Sequence, residues 1–231
     1  MTVHGRKGFT LIELVVVIGI IALLIGILAP ALQRAKKQAG DIKCRSNLRQ
    51  IGMAADLYAG TFDSYIPRGI GGASGMAWFQ VFMPFLSQKP IGDDYRNVTI
   101  YRCPGYPDKE QTVCYVINGW EFEGRDDKEG QERLMPTRLS SSNRRSYAVY
   151  IADNEDGAWR DIITDADGLG NDRCDVWNRG HLPISDSRDV DKGRRVARNR
   201  HKDGSNCLFL DWHVEWEAAD QINADMWRFR Y

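Results

Sequence analysis

The stretch from residue 7 to residue 32 reads KGFTLIELVVVIGIIALLIGILAPAL and determines the first structural element of the chain. After Phe9 its only polar side chains are Thr10 and Glu13, and its only proline is Pro30. About 20 apolar residues are enough to cross a bilayer as a helix. The stretch therefore predicts a membrane-spanning helix close to the N-terminus.

Glu13 separates three interpretations of this helix. A secretory signal peptide has a shorter apolar core that ends at a small-residue cleavage site, and this core is too long and lacks an A-x-A-like site. A plain anchor fits the length and would keep Arg6 and Lys7 in the cytoplasm. It leaves Glu13 unexplained, because an acid inside an apolar helix is costly and therefore tends to lie near the interface, to be paired or to have a function.

The heptapeptide KGFTLIE, from Lys7 to Glu13, resembles the processing signal of type IV pilins and of type II secretion pseudopilins. In that family a prepilin peptidase cuts after the glycine, here Gly8, and the new terminus, here Phe9, is N-methylated. The resemblance implies that Glu13 pairs with the terminal amine of a neighbouring subunit during assembly, since an opposite charge makes a buried carboxylate tolerable. Pro30 also has a counterpart in many of these helices.

The resemblance implies a structural subunit. Its precursor would lie in inner-membrane lipid with the head in the periplasm. Its mature form would join copies of itself and other pilin-like subunits in a periplasmic or cell-surface filament. The alternative is a membrane-tethered monomeric binding protein that recognises a ligand outside the cytoplasm.

Beyond Pro30 the helix becomes amphipathic and is expected to end near Gly60. One apolar face is followed by a second, shifted face. Their members are Leu32, Ala35, Ala39 and Ile42, then Cys44, Leu48, Ile51, Ala55 and Tyr58. We predict a leader over residues 1–8, a transmembrane and assembly helix over 9–60, and a globular head over 61–231.

The head shows short β-rich segments between polar loops. These segments are Thr99–Cys103, Thr112–Ile117, Ser146–Ala152 and Cys207–Trp216. A long helix followed by an antiparallel sheet predicts the α+β class and a pilin-like layout.

A second resemblance spans most of the chain, through the segments CRSNLRQIGMA, YIP, YRCPGY, CYVINGW, YIADNEDGAW and RHKDGSNCLFLDWHVEW. They resemble a large pilin-like family, abundant in Planctomycetes, with a histidine, nine residues and then Asp-Gly. His201 and Asp211 keep this spacing, and Trp212 replaces the glycine.

Trp212 affects the predicted turn, because a two-residue Asp-Gly hairpin needs positive φ, which tryptophan resists. Residues 207–216 form either one continuous strand or a hairpin. We favour the hairpin, with Phe209 facing Val214 and Cys207 facing Trp216.

His201, Asp211, His213 and Glu215 are all potential metal ligands. The favoured interpretation is structural: His201 hydrogen-bonds the hairpin and Asp211 caps its turn. The sequence has no G-x-S-x-G elbow, H-E-x-x-H helix or phosphate-binding glycine loop, so no enzyme activity is predicted.

The acidic loop from Asp153 to Asp172 is the better calcium candidate, because it places oxygen ligands among glycines. The calcium ligands would be Asp161, Asp165, Asp167 and Asp172. The spacing departs from an EF-hand at Leu169, and a solvated acidic loop is the favoured alternative. No other cofactor is predicted.

The five cysteines leave at least one thiol unpaired. The segments that carry the second resemblance favour a bridge from Cys44 to Cys103, which a periplasmic location would permit. Cys207 lies in an apolar strand and is expected to be a buried thiol.

The charge balance gives no reason to expect nucleic-acid binding. Lys and Arg total 31, as do Asp and Glu, whereas nucleic-acid binders show a basic excess. Removal of Arg6 and Lys7 with the leader would leave a slightly acidic chain.

Overall fold

The computed structural model describes residues 10–71, 76–92, 94–133, 135–156, 174–187 and 193–230. The α-helices are α1 (Leu11–Thr61) and α2 (Trp78–Val81), and the 3₁₀ helices are Met83–Phe85, Thr99–Tyr101, Leu139–Ser141, Arg179–His181 and Ala224–Trp227. The strands are β1 (Tyr65–Ile66), β2 (Ile70–Gly71), β3 (Met76–Ala77), β4 (Tyr115–Asn118), β5 (Trp120–Glu121), β6 (Gln131–Glu132), β7 (Thr137–Arg138), β8 (Val149–Asp153), β9 (Asp175–Val176), β10 (Gly204–Phe209) and β11 (Val214–Ala218).

The chain divides into two compact units, residues 1–39 and 40–231. The described side chains of the first unit are exposed, including the whole apolar run. In the second unit, α1 buries one face, which includes the predicted Cys44, Leu48, Ile51 and Ala55. The division into leader, helix and head at residues 8 and 60 stays a prediction.

The second unit is built on a five-stranded sheet with the order β11-β10-β8-β4-β9. Its pairs are antiparallel except β4 with β9, which is parallel. A long helix followed by this sheet confirms the predicted α+β class. The expected strand at Thr99–Cys103 is wrong, because a 3₁₀ turn occupies Thr99–Tyr101.

Side chains on the two faces of the sheet belong to two different hydrophobic clusters. Tyr115 and Ile117 of β4 join the cluster that contains the buried face of α1. Val116, between them, joins a second cluster around Trp120 and Trp227. Because successive strand residues point to opposite faces, β4 is covered on both sides and all four of its residues are buried.

The predicted hairpin is present as β10 and β11, but its predicted pairing is wrong. Leu208 pairs with Val214, and Cys207 pairs with Glu215. The Phe209 amide donates to the His213 carbonyl oxygen at 3.0 Å, so three residues, Leu210 to Trp212, lie inside this closing pair instead of the predicted two. The extra residue shifts the register by one.

Trp212 occupies the turn position where the resembling family has glycine, and its φ is +72°. This left-handed conformation is unfavourable for a bulky residue. Tertiary contacts of the Trp212 side chain offset the cost of this conformation. The indole Nε1 donates to Asp56 Oδ1 at 2.8 Å, and the ring packs edge-on against Tyr150. The hairpin therefore forms with tryptophan at this position.

Candidate functional site

The first described residues form a hydrogen-bonded cap on α1. The Thr10 amide and hydroxyl donate to Glu13 Oε2 at 2.9 and 2.7 Å. The Glu13 amide donates back to the Thr10 hydroxyl oxygen at 3.3 Å. This reciprocal pattern is a capping box, which satisfies amide groups that a helix start leaves unpaired. Glu13 thus has a local structural contact within its own chain.

The predicted processing residues Gly8 and Phe9 lie outside the described residues. Pro30 lies inside α1, which is helical on both sides of it. Among the described residues, α1 is the one helix long and apolar enough to cross a membrane. Its run from Leu14 to Ala29 has no polar side chain.

A polar cluster lies inside the second unit, and four of its members come from separate segments. Cys44 comes from α1, Asp153 ends β8, and Cys103 and His201 lie in loops. All four are buried. Their sulfur, nitrogen and oxygen atoms lie within 4.8 Å of one another.

Direct contacts join these groups in series, from Cys44 through Asp153 and His201 to Cys103. The Cys44 thiol donates to Asp153 Oδ1 at 3.1 Å, and the Cys103 sulfur lies 3.3 Å from His201 Nε2. His201 Nε2 is 3.5 Å from Asp153 Oδ2. Tyr115 Oη lies 3.4 Å from the Cys44 sulfur. The cluster thus gathers two thiols, an imidazole and a carboxylate.

Burial shifts the acid-base behaviour of the cluster. Burial, followed by the nearby Cys103, raises the pKa of Asp153 to about 7. The hydrogen bond with Cys44, helped by His201 and opposed by burial, lowers the pKa of Cys103 to about 5. Burial raises the pKa of Cys44 well above its usual value. Cys103 is therefore the sulfur that ionises more readily.

The imidazole of His201 also contacts a carboxylate outside this group of four. His201 Nδ1 lies 3.3 Å from Asp41 Oδ1. Burial opposes a charge on this imidazole, but the contacts with Cys103, Asp153 and Asp41 outweigh it and raise the pKa of His201. A cavity of ≈ 340 Å³ borders the cluster at Cys103.

The structure separates His201 from the other predicted ligands. The main chain of His201 contacts the hairpin, with its amide 3.3 Å from the Gly204 carbonyl oxygen. Asp211 instead contacts His213, whose amide donates to Asp211 Oδ1 at 3.2 Å. Glu215 lies 3.8 Å from His213 Nε2. His201 thus belongs to the buried cluster, whereas Asp211 caps its own turn.

All five cysteines are buried thiols that form no disulfide, including the predicted thiol Cys207. The predicted bridge partners Cys44 and Cys103 lie close together but are not bonded. Their pairing stays a prediction. The four predicted calcium ligands of the acidic loop, Asp161, Asp165, Asp167 and Asp172, lie outside the described residues, so the calcium site also stays a prediction.

Sequence reasoning missed Asp153 and Asp41 as cluster members. A signal was present, because separate segments of the second resemblance each supply one member. Cys44 opens CRSNLRQ, Cys103 is in YRCPGY, Asp153 is in YIADNEDGAW and His201 is in RHKDGS. Motif residues distant in sequence converge on one buried point.

Residues 4–29 match the family described as the prokaryotic N-terminal methylation motif. The N-terminal segment is thus similar to the segments that carry this methylation motif. Part of the chain is also similar to the type IV wide pilus major component PilA4 of Thermus thermophilus, 42% identical over 62 residues. The aligned part covers 27% of this chain and 47% of that protein, so the chain spans about half the length of this curated relative. No solved structure matches the chain. The second, Planctomycete-type resemblance stays a prediction.

Proposed function

We propose that this chain is a structural subunit of a type IV pilus-like or pseudopilus filament. It is cut after Gly8 by a prepilin peptidase, N-methylated at Phe9 and polymerised through α1. The observation that carries the proposal is the match of residues 4–29 to the methylation motif, a stretch that includes the apolar run of α1. The relative's description as a pilus component supports the same class of function.

The exposed apolar surface of α1 supports polymerisation. Large apolar side chains stay exposed over this run, and Leu11, Ile12 and Ile27 are each at least 67% exposed. A continuous apolar surface of this kind needs lipid or another protein surface around it. Lipid would cover it in the precursor, and neighbouring copies of α1 would cover it in the filament.

Charge supports the proposed orientation of the precursor. Arg6 and Lys7 precede the apolar run and would remain on the cytoplasmic side. The following unit would then be placed in the periplasm. Cleavage after Gly8 removes both bases and creates the amine that Glu13 would pair with in a neighbour.

Site-specific photocrosslinking tests whether copies of α1 pack together. A photoreactive phenylalanine analogue replaces Leu24, which is exposed in the apolar run. We expect a ladder of crosslinked multiples of this chain in cells with active prepilin peptidase, because neighbouring helices would contact this position. Denaturing electrophoresis with mass spectrometry identifies the crosslinked chains.

The matched control places the same analogue at Glu123, an exposed position in the second unit. A weaker ladder or none is expected there. If Leu24 yields the uncrosslinked chain alone, while the filament machinery is present, the proposal is contradicted in favour of a monomeric tethered protein.

A further inference from the structure

The buried cluster has the dimensions of a metal site. The Cys44 sulfur lies 3.1 Å from Asp153 Oδ1, and His201 Nε2 lies 3.3 Å from the Cys103 sulfur and 3.5 Å from Asp153 Oδ2. One donor atom from each of the four side chains lies within 4.8 Å of the others. A tetrahedral zinc ion with bonds of about 2.0–2.3 Å would separate its ligands by about 3.3–3.8 Å, so small side-chain movements would bring the four donors around a common centre.

The donor set selects the kind of cation. Two sulfurs, one imidazole nitrogen and one carboxylate oxygen suit a zinc-class ion, whereas calcium and magnesium require oxygen ligands. Because four protein side chains complete a tetrahedron and all four are buried, the centre is closed. A closed centre is typical of a structural metal site.

Outer contacts orient the ligands as they do in metal sites. Asp41 contacts His201 Nδ1 and leaves Nε2 facing the two ligand residues Cys103 and Asp153. This is the carboxylate–histidine arrangement that fixes a metal-binding imidazole. The Asn206 amide donates to Asp153 Oδ2 at 2.7 Å, and the Asn206 side chain donates to Asp41 at 2.9 Å.

Binding of a divalent cation would displace the thiol protons of Cys44 and Cys103, because sulfur binds zinc as thiolate. The two thiolates and the Asp153 carboxylate would then carry three negative charges, which the ion, together with the buried Arg200, would offset.

We propose that Cys44, Cys103, Asp153 and His201 bind one zinc-class ion. The site joins α1, strand β8 and two loops within the second unit. It excludes a disulfide between the same two cysteines, because both sulfurs are ligands. This inference concerns the single subunit and holds whether or not the subunit polymerises.

Metal analysis of the full-length chain in detergent tests the site. The protein is purified with a phosphine reductant and without chelator, and zinc is measured by inductively coupled plasma mass spectrometry. We expect about one zinc ion per chain. The Cys103→Ala chain should lose this zinc, whereas the matched Cys207→Ala chain, which loses a buried cysteine outside the cluster, should keep it.

Cobalt substitution tests for thiolate ligands and tetrahedral geometry in the wild-type chain. The test therefore does not depend on whether a variant folds. After zinc removal, Co²⁺ should give a thiolate-to-cobalt charge-transfer band and the visible spectrum of a tetrahedral site. Circular dichroism checks that the apo chain remains folded before cobalt is added. If the apo chain unfolds, Co²⁺ should restore the fold together with these bands.

Two results would overturn the proposal. One is a folded, reduced wild-type chain that contains no zinc and gives no cobalt–thiolate band. The other is a Cys44–Cys103 disulfide in chain that was alkylated directly in cells before extraction. The disulfide result would support the bridge predicted from the sequence instead.

Discussion

A chain with Glu13 replaced by glutamine is expected to be inserted and processed but to form no polymer. Glutamine keeps the hydrogen-bonding geometry of the Thr10–Glu13 capping box, because Glu and Gln both serve at this position. It removes the negative charge that would face a neighbour's terminal amine. Electron microscopy and sedimentation of the sheared fraction measure the polymer, and intact mass of the membrane fraction checks processing.

Thr10→Val is the matched control for this experiment. It removes the hydroxyl group from the cap but leaves the Glu13 charge in place. We expect Thr10→Val subunits to polymerise, with loss only of local helix-cap stability. Wild-type amounts of polymer from Glu13→Gln would show that the charge is dispensable and would contradict the proposed pairing.

Replacement of Arg68 by methionine is expected to cause the largest loss of stability in the second unit. The Arg68 side chain is completely buried and donates to the Asn118 and Trp120 carbonyl oxygens at 2.6 and 2.7 Å. It also donates to Asn118 Oδ1 at 3.1 Å. Its guanidinium group lies over the Phe229 ring. Methionine fills similar space but donates no hydrogen bond.

Arg68 also forms an ion pair with Glu121 at 3.9 Å, and loss of one partner from a buried ion pair costs about 3–5 kcal/mol. For a unit of this size we expect the melting temperature to fall by roughly 10 °C. Thermal unfolding of the full-length chain in detergent, followed by circular dichroism, measures the change. The control is Arg138→Ala, which removes an exposed ion pair with Asp63 and should change stability by about 0–1 kcal/mol. Equal melting temperatures for Arg68→Met and Arg138→Ala would contradict this account.

The sequence predicted the elements that depend on local pattern. A continuous apolar run predicts the start of α1, and the spacing of Cys44, Leu48 and Ile51 predicts its buried face. The hairpin was also predictable from its apolar residues around a turn. Its register was not, because tertiary contacts of Trp212 with Asp56 and Tyr150 stabilise a positive φ that local preference opposes.

The buried cluster could not be assembled from sequence alone. His201 was recognised through its spacing to Asp211, yet its imidazole contacts Cys103 and Asp153. Such a grouping depends on how α1, β8 and the loops pack, which residue spacing does not specify. Asp153 shows the same limit, since it was considered as the edge of an acidic loop and is fully buried at the end of β8.

Intact mass and N-terminal peptide mapping test the central claim most directly. The chain is recovered from its native membrane and from the sheared fraction of cells with active prepilin peptidase. The account predicts a chain that begins at N-methylated Phe9 in both fractions. A chain that still carries Arg6 and Lys7 would contradict it and would favour a membrane-tethered binding protein.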